Sequence, residues 1–496
     1  MRRALAITTS ERYCGLLVNF ATIAVVSRIL SPAEIGISVV GMAIVGLTLA
    51  LREFATTNFL VQKNDLTATD VRTAFTVLLL LTTAIAMSLW ATARPLANFY
   101  GNDNLVPYMR VVALSLLADV FSLPIAALLR RQMAFSKLAV LNIIAATVNS
   151  TTTIGLALLG FSYMSFAWAI FASASIGSIL SIKIWKDRSI FRPSLAEWRS
   201  FVVFGGYNGL NILLNQLYEA LPYLVLGRTL SLQSVALYNR GITICQLPNK
   251  VVLGGVDAVL LSSYSAEVRG GGNLRASYLR GIEMITALQW PGFLLVAILA
   301  HPIVTLLLGE QWVDAVPLVQ IMALASLFTF SGALNYPILV AIGAMHDVFL
   351  RSVIVWPLSA LIIAAASFFG LKAAALAWLV TMPLQAYFSV FFVRRHVPVT
   401  WRQIGGALWR SGVLAVLSGL GPIAIVLIMG GRFDLPMPAV AAAIALSAAG
   451  YWFGLVLTRH PLLHEIERAL DIAARNVPAL RVGVLRMKAY IPSAIR

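Results

Sequence analysis

The chain has 496 residues, 59% of them hydrophobic and 11% charged, with a mean hydropathy of +0.86 and a net charge of +17. An apolar share so far above the ~45–50% of soluble domains describes an all-α polytopic membrane protein. At ~20 residues per spanning helix the length is filled by spans and short loops, which excludes a large appended catalytic domain.

In chain order, Arg2 and Arg3 ahead of the apolar run from Leu16 imitate a secretory signal. The run continues to Leu30 with no small-x-small cleavage site, so it reads as an uncleaved first span. Apolar windows bounded by charge or turn residues predict fourteen spans: 13–30, 36–55, 74–93, 106–129, 137–159, 163–184, 201–226, 232–254, 282–308, 315–342, 347–369, 371–392, 404–429 and 436–457. Pro248 should break the eighth. Trp185 to Ser200 reads as a polar linker, and Tyr264 to Gly281, with three successive glycines, as a loop. Beyond Thr458 the tail is basic, and Leu462, Leu463, Ile466 and Leu470 predict a helix lying on the membrane surface.

Loop charges orient these spans. With the N-terminus in the cytoplasm, 29 of the 37 Lys and Arg fall on cytoplasmic segments, six fall outside, and Arg240 and Lys250 lie within a span. This is a positive-inside split with both termini cytoplasmic, so the net charge reports topology and not nucleic-acid binding.

The outer turn Ser27-Arg28-Ile29-Leu30-Ser31 recurs 200 positions later as Gly227-Arg228-Thr229-Leu230-Ser231, again between two spans. The recurrence predicts two pseudo-symmetric six-helix lobes, 1–184 and 201–393, joined by the linker 185–200 around a central cavity. Two further spans (394–457) and the tail (458–496) lie outside the duplication.

Along the seventh span Asn208, Asn211, Asn215 and Glu219 share one helix face, which cannot be lipid-exposed. Glu219 and Arg240 reach equal depth, ~15 Å from the turn between their helices. They either neutralise one another, or Arg240 meets an anionic substrate while Glu219 holds or competes for it. The repeat offset makes Asn19 the counterpart of Glu219. Lys250 either snorkels to the interface or joins this wall. Asp119 is a lone carboxylate in the fourth span, a packing residue or a coupling-ion site.

Cys14 and Cys245 lack paired spacing, the five histidines form no metal or triad pattern, and no GxxxxGK[ST] loop occurs. Neither an enzyme nor a cofactor is expected. The outer connections are too short to house a polymerase or glycosyltransferase site.

Several segments together resemble the oligosaccharide-lipid (polysaccharide) flippases of the multidrug/oligosaccharidyl-lipid/polysaccharide exporter superfamily. They are the first-hairpin run from Val26 to Gly36, Val61-Gln62, the Leu226-Gly227-Arg228 turn, and Tyr238-Asn239-Arg240-Gly241 with Leu247-Pro248 behind it. The fourteen-span form with a basic tail is similar to the branch handling succinoglycan-type or colanic-acid-type exopolysaccharides. The resemblance implies a bacterial inner-membrane protein that moves an undecaprenyl-diphosphate-linked oligosaccharide outward by alternating access. It also implies membrane lipids as surroundings and a polymerase and a chain-length regulator as partners. Many relatives carry Asp-Asn where this chain has Pro222-Tyr223. A lipid II flippase or a cation antiporter of the same superfamily would share the fold, and Arg240 counts against the antiporter.

Overall fold

The computed structural model describes residues 2–53, 60, 63, 65–196, 198–253, 257–466 and 468; side chains are described for all of these except 2–10, 12, 51, 53, 198–211, 253 and 257–259. Among them there is no strand. Among the described residues ten helices are long and apolar enough to cross a membrane, or eleven when the bent pair ending at Arg131 counts as one span.

The helices are α1 (Arg2–Ile29), α2 (Pro32–Glu53), α3 (Ala68–Tyr100), α4 (Leu105–Asp119), α5 (Ser122–Arg131), α6 (Phe135–Leu158), α7 (Met164–Ile184), α8 (Trp198–Thr229), α9 (Leu232–Cys245), α10 (Leu247–Leu253), α11 (Asp257–Arg269), α12 (Leu274–Ile298), α13 (Ala300–Leu308), α14 (Val316–Ala325), α15 (Phe330–Ala341), α16 (Met345–Ser367), α17 (Leu371–Leu376), α18 (Trp378–Arg394), α19 (Trp401–Ile428) and α20 (Met437–Leu457). Among the described residues each of the fourteen expected spans overlaps helix, with breaks inside several of them. The fourth bends by 45° between α4 and α5. In the eighth, α9 ends at Cys245 and α10 restarts at Leu247, which puts Pro248 in the first turn of a helix, where its missing N–H costs nothing.

Two expectations are corrected. The loop predicted over Tyr264–Gly281 is mostly helix, because α11 runs to Arg269 and α12 begins at Leu274. A polar helix leaves no trace in an apolar-window search, and Tyr264 is buried in a core cluster with Tyr278 and Leu334. The start of the tail does not lie on the surface either: Leu462 and Leu463 are buried against Ala287, Leu414 and Leu455. The basic residues after Arg468 lie outside the described residues.

The chain forms two compact units. The first comprises Met1–Arg240, Leu307–Asp314 and Ser352–Ala377. In it α1 packs on α6, α2 on α8, and α4 on both α3 and α7. The helices that follow the two copies of the repeated turn meet here, since the face of α2 at Gly36 lies directly on the Leu232 carbonyl of α9 and leaves no room for a Cβ. The segment after Gly309 is tied to the first copy, where Ser27 O accepts from Gln311 Nε2 (2.5 Å) and Trp312 Nε1 (2.7 Å).

The second unit comprises Gly241–Leu306, Ala315–Arg351 and Trp378–Arg496. Its α12 packs against α10, α14, α15 and α19, and α19 carries α20. Within lipid such contacts gain from close packing and interhelical hydrogen bonds, not from exclusion of water. Thr286 Oγ1 donates to Ser411 Oγ at 2.8 Å between α12 and α19, and the Ser418 and Ser447 hydroxyls meet at 2.8 Å between α19 and α20. Both cysteines are free, Cys14 exposed and Cys245 buried with its Sγ 3.3 Å from Val319 O.

Candidate functional site

Helix α8 carries the expected row of polar residues. The side chains of Asn208 and Asn211 lie outside the described residues. Asn215 Nδ2 donates to Glu219 Oε1 at 3.5 Å, and Glu219 is exposed in a cavity of about 330 Å³ within the first unit. Helix spacing explains the rest of that wall, because Gln216 and Tyr223 lie three residues before and four after Glu219 and also line the cavity. The facing helices supply Ser38 from α2, Tyr108 from α4, Asn149 from α6 and Asn239 from α9.

Arg240 is placed differently. It is 6% exposed, lies outside the cavity lining, and holds its guanidinium carbon 5.5 Å from the centre of the Trp312 ring. Its Nε has no hydrogen-bond partner, and among the described residues no carboxylate pairs with it. The expected Glu219–Arg240 ion pair is therefore absent. Equal depth fixes height along the helix axes but not direction around them. Successive residues on a helix point about 100° apart, so an α9 that turns Asn239 into the cavity turns Arg240 away from it. Asn239 Nδ2 instead donates to Tyr223 Oη at 3.3 Å.

The other expected residues scatter. Asn19 is exposed on α1 and does not line the cavity. Lys250 is exposed on α10, in the second unit. Asp119, read as a lone carboxylate, has a cation beside it: Arg52 Nη2 lies 3.3 Å from its Oδ2 and Ser122 Oγ donates to its Oδ1 at 2.8 Å. Arg52 sits 67 residues away in sequence, beyond the reach of any local pattern.

Sequence reasoning missed Ser38, Tyr108, Asn149, Gln216 and Asn239. Gln216 could have been found, being three residues before Glu219. Asn149 lies inside the fifth predicted span beside Ser150 and Thr151, and no helical periodicity singles it out. Tyr108 is fully buried with an unpartnered hydroxyl, and its ring rests on α2 at Gly41, where a Cβ would come within 2.5 Å of it.

Chemically this is a recognition surface. Among the described residues it offers one carboxylate, three amides and hydroxyls, and no Cys, His, Lys or Arg lines it.

Comparison with known proteins agrees with a transporter of sugar chains. A family described as polysaccharide biosynthesis protein matches residues 25–317. The succinoglycan biosynthesis transport protein ExoT of Rhizobium meliloti is 26% identical over 310 residues, 62% of this chain and 62% of its own length. The lipopolysaccharide biosynthesis protein WzxC of Escherichia coli is 20% identical over 92% of this chain and 94% of its own. Among solved structures, the lipid II flippase MurJ in an inward closed conformation superposes over 93% of this chain and 100% of its own with TM-score 0.75 at 13% identity. An inward-facing multidrug resistance transporter of the MATE family covers 81% of this chain and 98% of its own with TM-score 0.62 at 17% identity. At such identities the structures establish the shared fold alone.

Proposed function

Because the chain belongs to the polysaccharide biosynthesis protein family, we propose that it is a flippase moving a polyprenyl-diphosphate-linked oligosaccharide across a bacterial cytoplasmic membrane for exopolysaccharide assembly. It is a multi-pass membrane protein, and its named relatives are transport and biosynthesis proteins for sugar polymers. The observation that carries the reading is the cavity. Glu219 and the amides around it sit in predominantly apolar helices, and ionisable and amide side chains at that depth persist where a polar solute or water meets them.

The sugar headgroup passes through polar surroundings while the polyprenyl tail stays in lipid, so no apolar chain needs to be desolvated or resolvated. The site opens alternately to the two faces, a motion that the duplicated hairpin of two six-helix lobes supports. The loop charges support cytoplasmic termini. A polymerase and a chain-length regulator would take up the delivered repeat unit.

Reconstitution tests this directly. The full chain in vesicles should equalise a labelled polyprenyl-diphosphate oligosaccharide between leaflets at least tenfold faster than protein-free vesicles, and equal rates would sink the proposal. In cells, loss of the chain should leave the lipid-linked oligosaccharide on the cytoplasmic leaflet; accumulation on the outer leaflet would point to a polymerase.

A further inference from the structure

The cavity in the first unit is selective in its chemistry. We infer that it is the subsite for an uncharged sugar ring of the transported headgroup, and that Glu219 excludes acidic sugars from it. The inference rests on the flippase reading.

The argument starts from unused hydrogen-bonding capacity. The side-chain amides of Asn149 and Gln216 have no hydrogen bond among the described residues, and the buried Tyr108 hydroxyl has none. Glu219 has a single long bond from Asn215. Only the Tyr108 hydroxyl is buried, where a missing partner is costly; Asn149 and Gln216 are half-buried and Glu219 is exposed, so their bonding capacity is open to a ligand, and one that pairs the whole set is favoured over one that pairs part of it. An ionised carboxylate only accepts, whereas amides and the phenol both donate and accept. A sugar ring, whose hydroxyls each donate and accept, satisfies the whole set at once.

Other headgroup chemistry fits worse. A phosphate oxygen only accepts and carries negative charge, so beside Glu219 it meets a like charge and, among the described residues, no Lys or Arg lining the cavity. A uronate ring meets the same repulsion. A quaternary cation would pair with Glu219 but leave Asn149, Gln216 and Tyr108 unpartnered. The volume, about 330 Å³, lies at the lower end of the ~300–1,000 Å³ of small-molecule sites and suits a ring or two, not a whole lipid-linked repeat unit. The diphosphate therefore lies outside this pocket while the sugar is in it.

The probes are four short-chain prenyl diphosphates: the bare diphosphate and its glucose, N-acetylglucosamine and glucuronate conjugates, with binding to the purified full chain measured in nanodiscs. The two neutral conjugates should bind at least tenfold tighter than the glucuronate conjugate. In Glu219→Gln, which keeps size and sits on an exposed side chain, that gap should shrink to under threefold. Asn149→Ala should weaken both neutral conjugates and leave the bare diphosphate unchanged. Equal affinity for all four probes, or a glucuronate penalty that survives Glu219→Gln, overturns the sugar-subsite assignment and leaves the flippase reading standing. Failure of every probe to bind overturns both. Binding of tetraphenylphosphonium that depends on Glu219, with no preference among the sugar probes, makes the pocket a cation site and overturns the proposal.

Discussion

Replacing Gly36 by alanine should damage this protein out of proportion to the size of the change. An added Cβ overlaps the Leu232 carbonyl oxygen and stands 2.5 Å from the carbonyl carbon and 3.1 Å from the Leu232 Cα. All three are backbone atoms, so no rotamer change relieves the clash, and α2 must move away from α9 by about 1.5 Å, from 1.9 Å to 3.4 Å at the carbonyl oxygen, to restore ordinary contact. Overpacking a tight interface costs ~1–3 kcal/mol, and a clash against backbone belongs at the upper end. Alanine regains up to ~1 kcal/mol of helix propensity over glycine. The net expectation is a loss of about 2 kcal/mol. The control is Gly15→Ala on α1, where nothing lies within 4 Å of the added atom, so only the propensity gain applies. Thermal unfolding of the two variants in one detergent, followed by monodisperse fraction on size exclusion, should give a lower midpoint for Gly36→Ala than for the parent and an unchanged or higher one for Gly15→Ala. Equal midpoints would refute the claim that α2 and α9 meet backbone to backbone at Gly36 and Leu232.

Two further outcomes follow from groups away from the cavity. Arg240 is buried without an anionic partner, so Arg240→Met, which keeps much of the volume, should stay within ~1 kcal/mol of the parent, while Arg240→Ala should lose ~2–3 kcal/mol to the void beneath Trp312. Unfolding midpoints decide it, and a methionine variant as damaged as the alanine one would mean that the charge itself is needed. His460, beyond the last span, is 1% exposed, and burial followed by the nearby Arg410 pushes its pKa down to about 4. Its Nε2 is 3.9 Å from Glu283 Oε1, itself 3.2 Å from Arg410 Nη1, and its Nδ1 accepts from the Leu462 amide. A folded pKa below the unfolded ~6.5 means the unfolded chain binds the extra proton, so this contribution is intact above pH 6.5 and drains as pH falls toward 4, by about 2 kcal/mol at pH 5. His460→Gln should flatten stability between pH 7 and 5; an unchanged slope would assign the acid sensitivity elsewhere.

The helices were legible because length and apolarity are one-dimensional properties. Among the described residues every expected span overlaps helix, and the chain breaks before Pro248, where its missing N–H is tolerated. The site was legible in one coordinate only. Spacing put Asn215 and Glu219 on one face of α8 and gave Glu219 and Arg240 the same height, but azimuth around α9 depends on what that helix packs against. Trp312, which claims Arg240, arrives from 72 residues further along, and Asn149, which faces Glu219, comes from a helix whose polar residues follow no stripe. The Arg52–Asp119 bridge was hidden for the same reason.

The two thiols form a natural reporter and clock. Cys14 is exposed on α1, and Cys245 is 1% exposed at the end of α9, held against the Val319 carbonyl. A membrane-permeant alkylating reagent should therefore reach Cys14 sooner than Cys245, which is open to it only in molecules whose α9 has parted from the Val319 carbonyl. The ratio of the two adducts, read by intact mass, timestamps how often the wild-type chain opens, with no engineered cysteine and no transported substrate required.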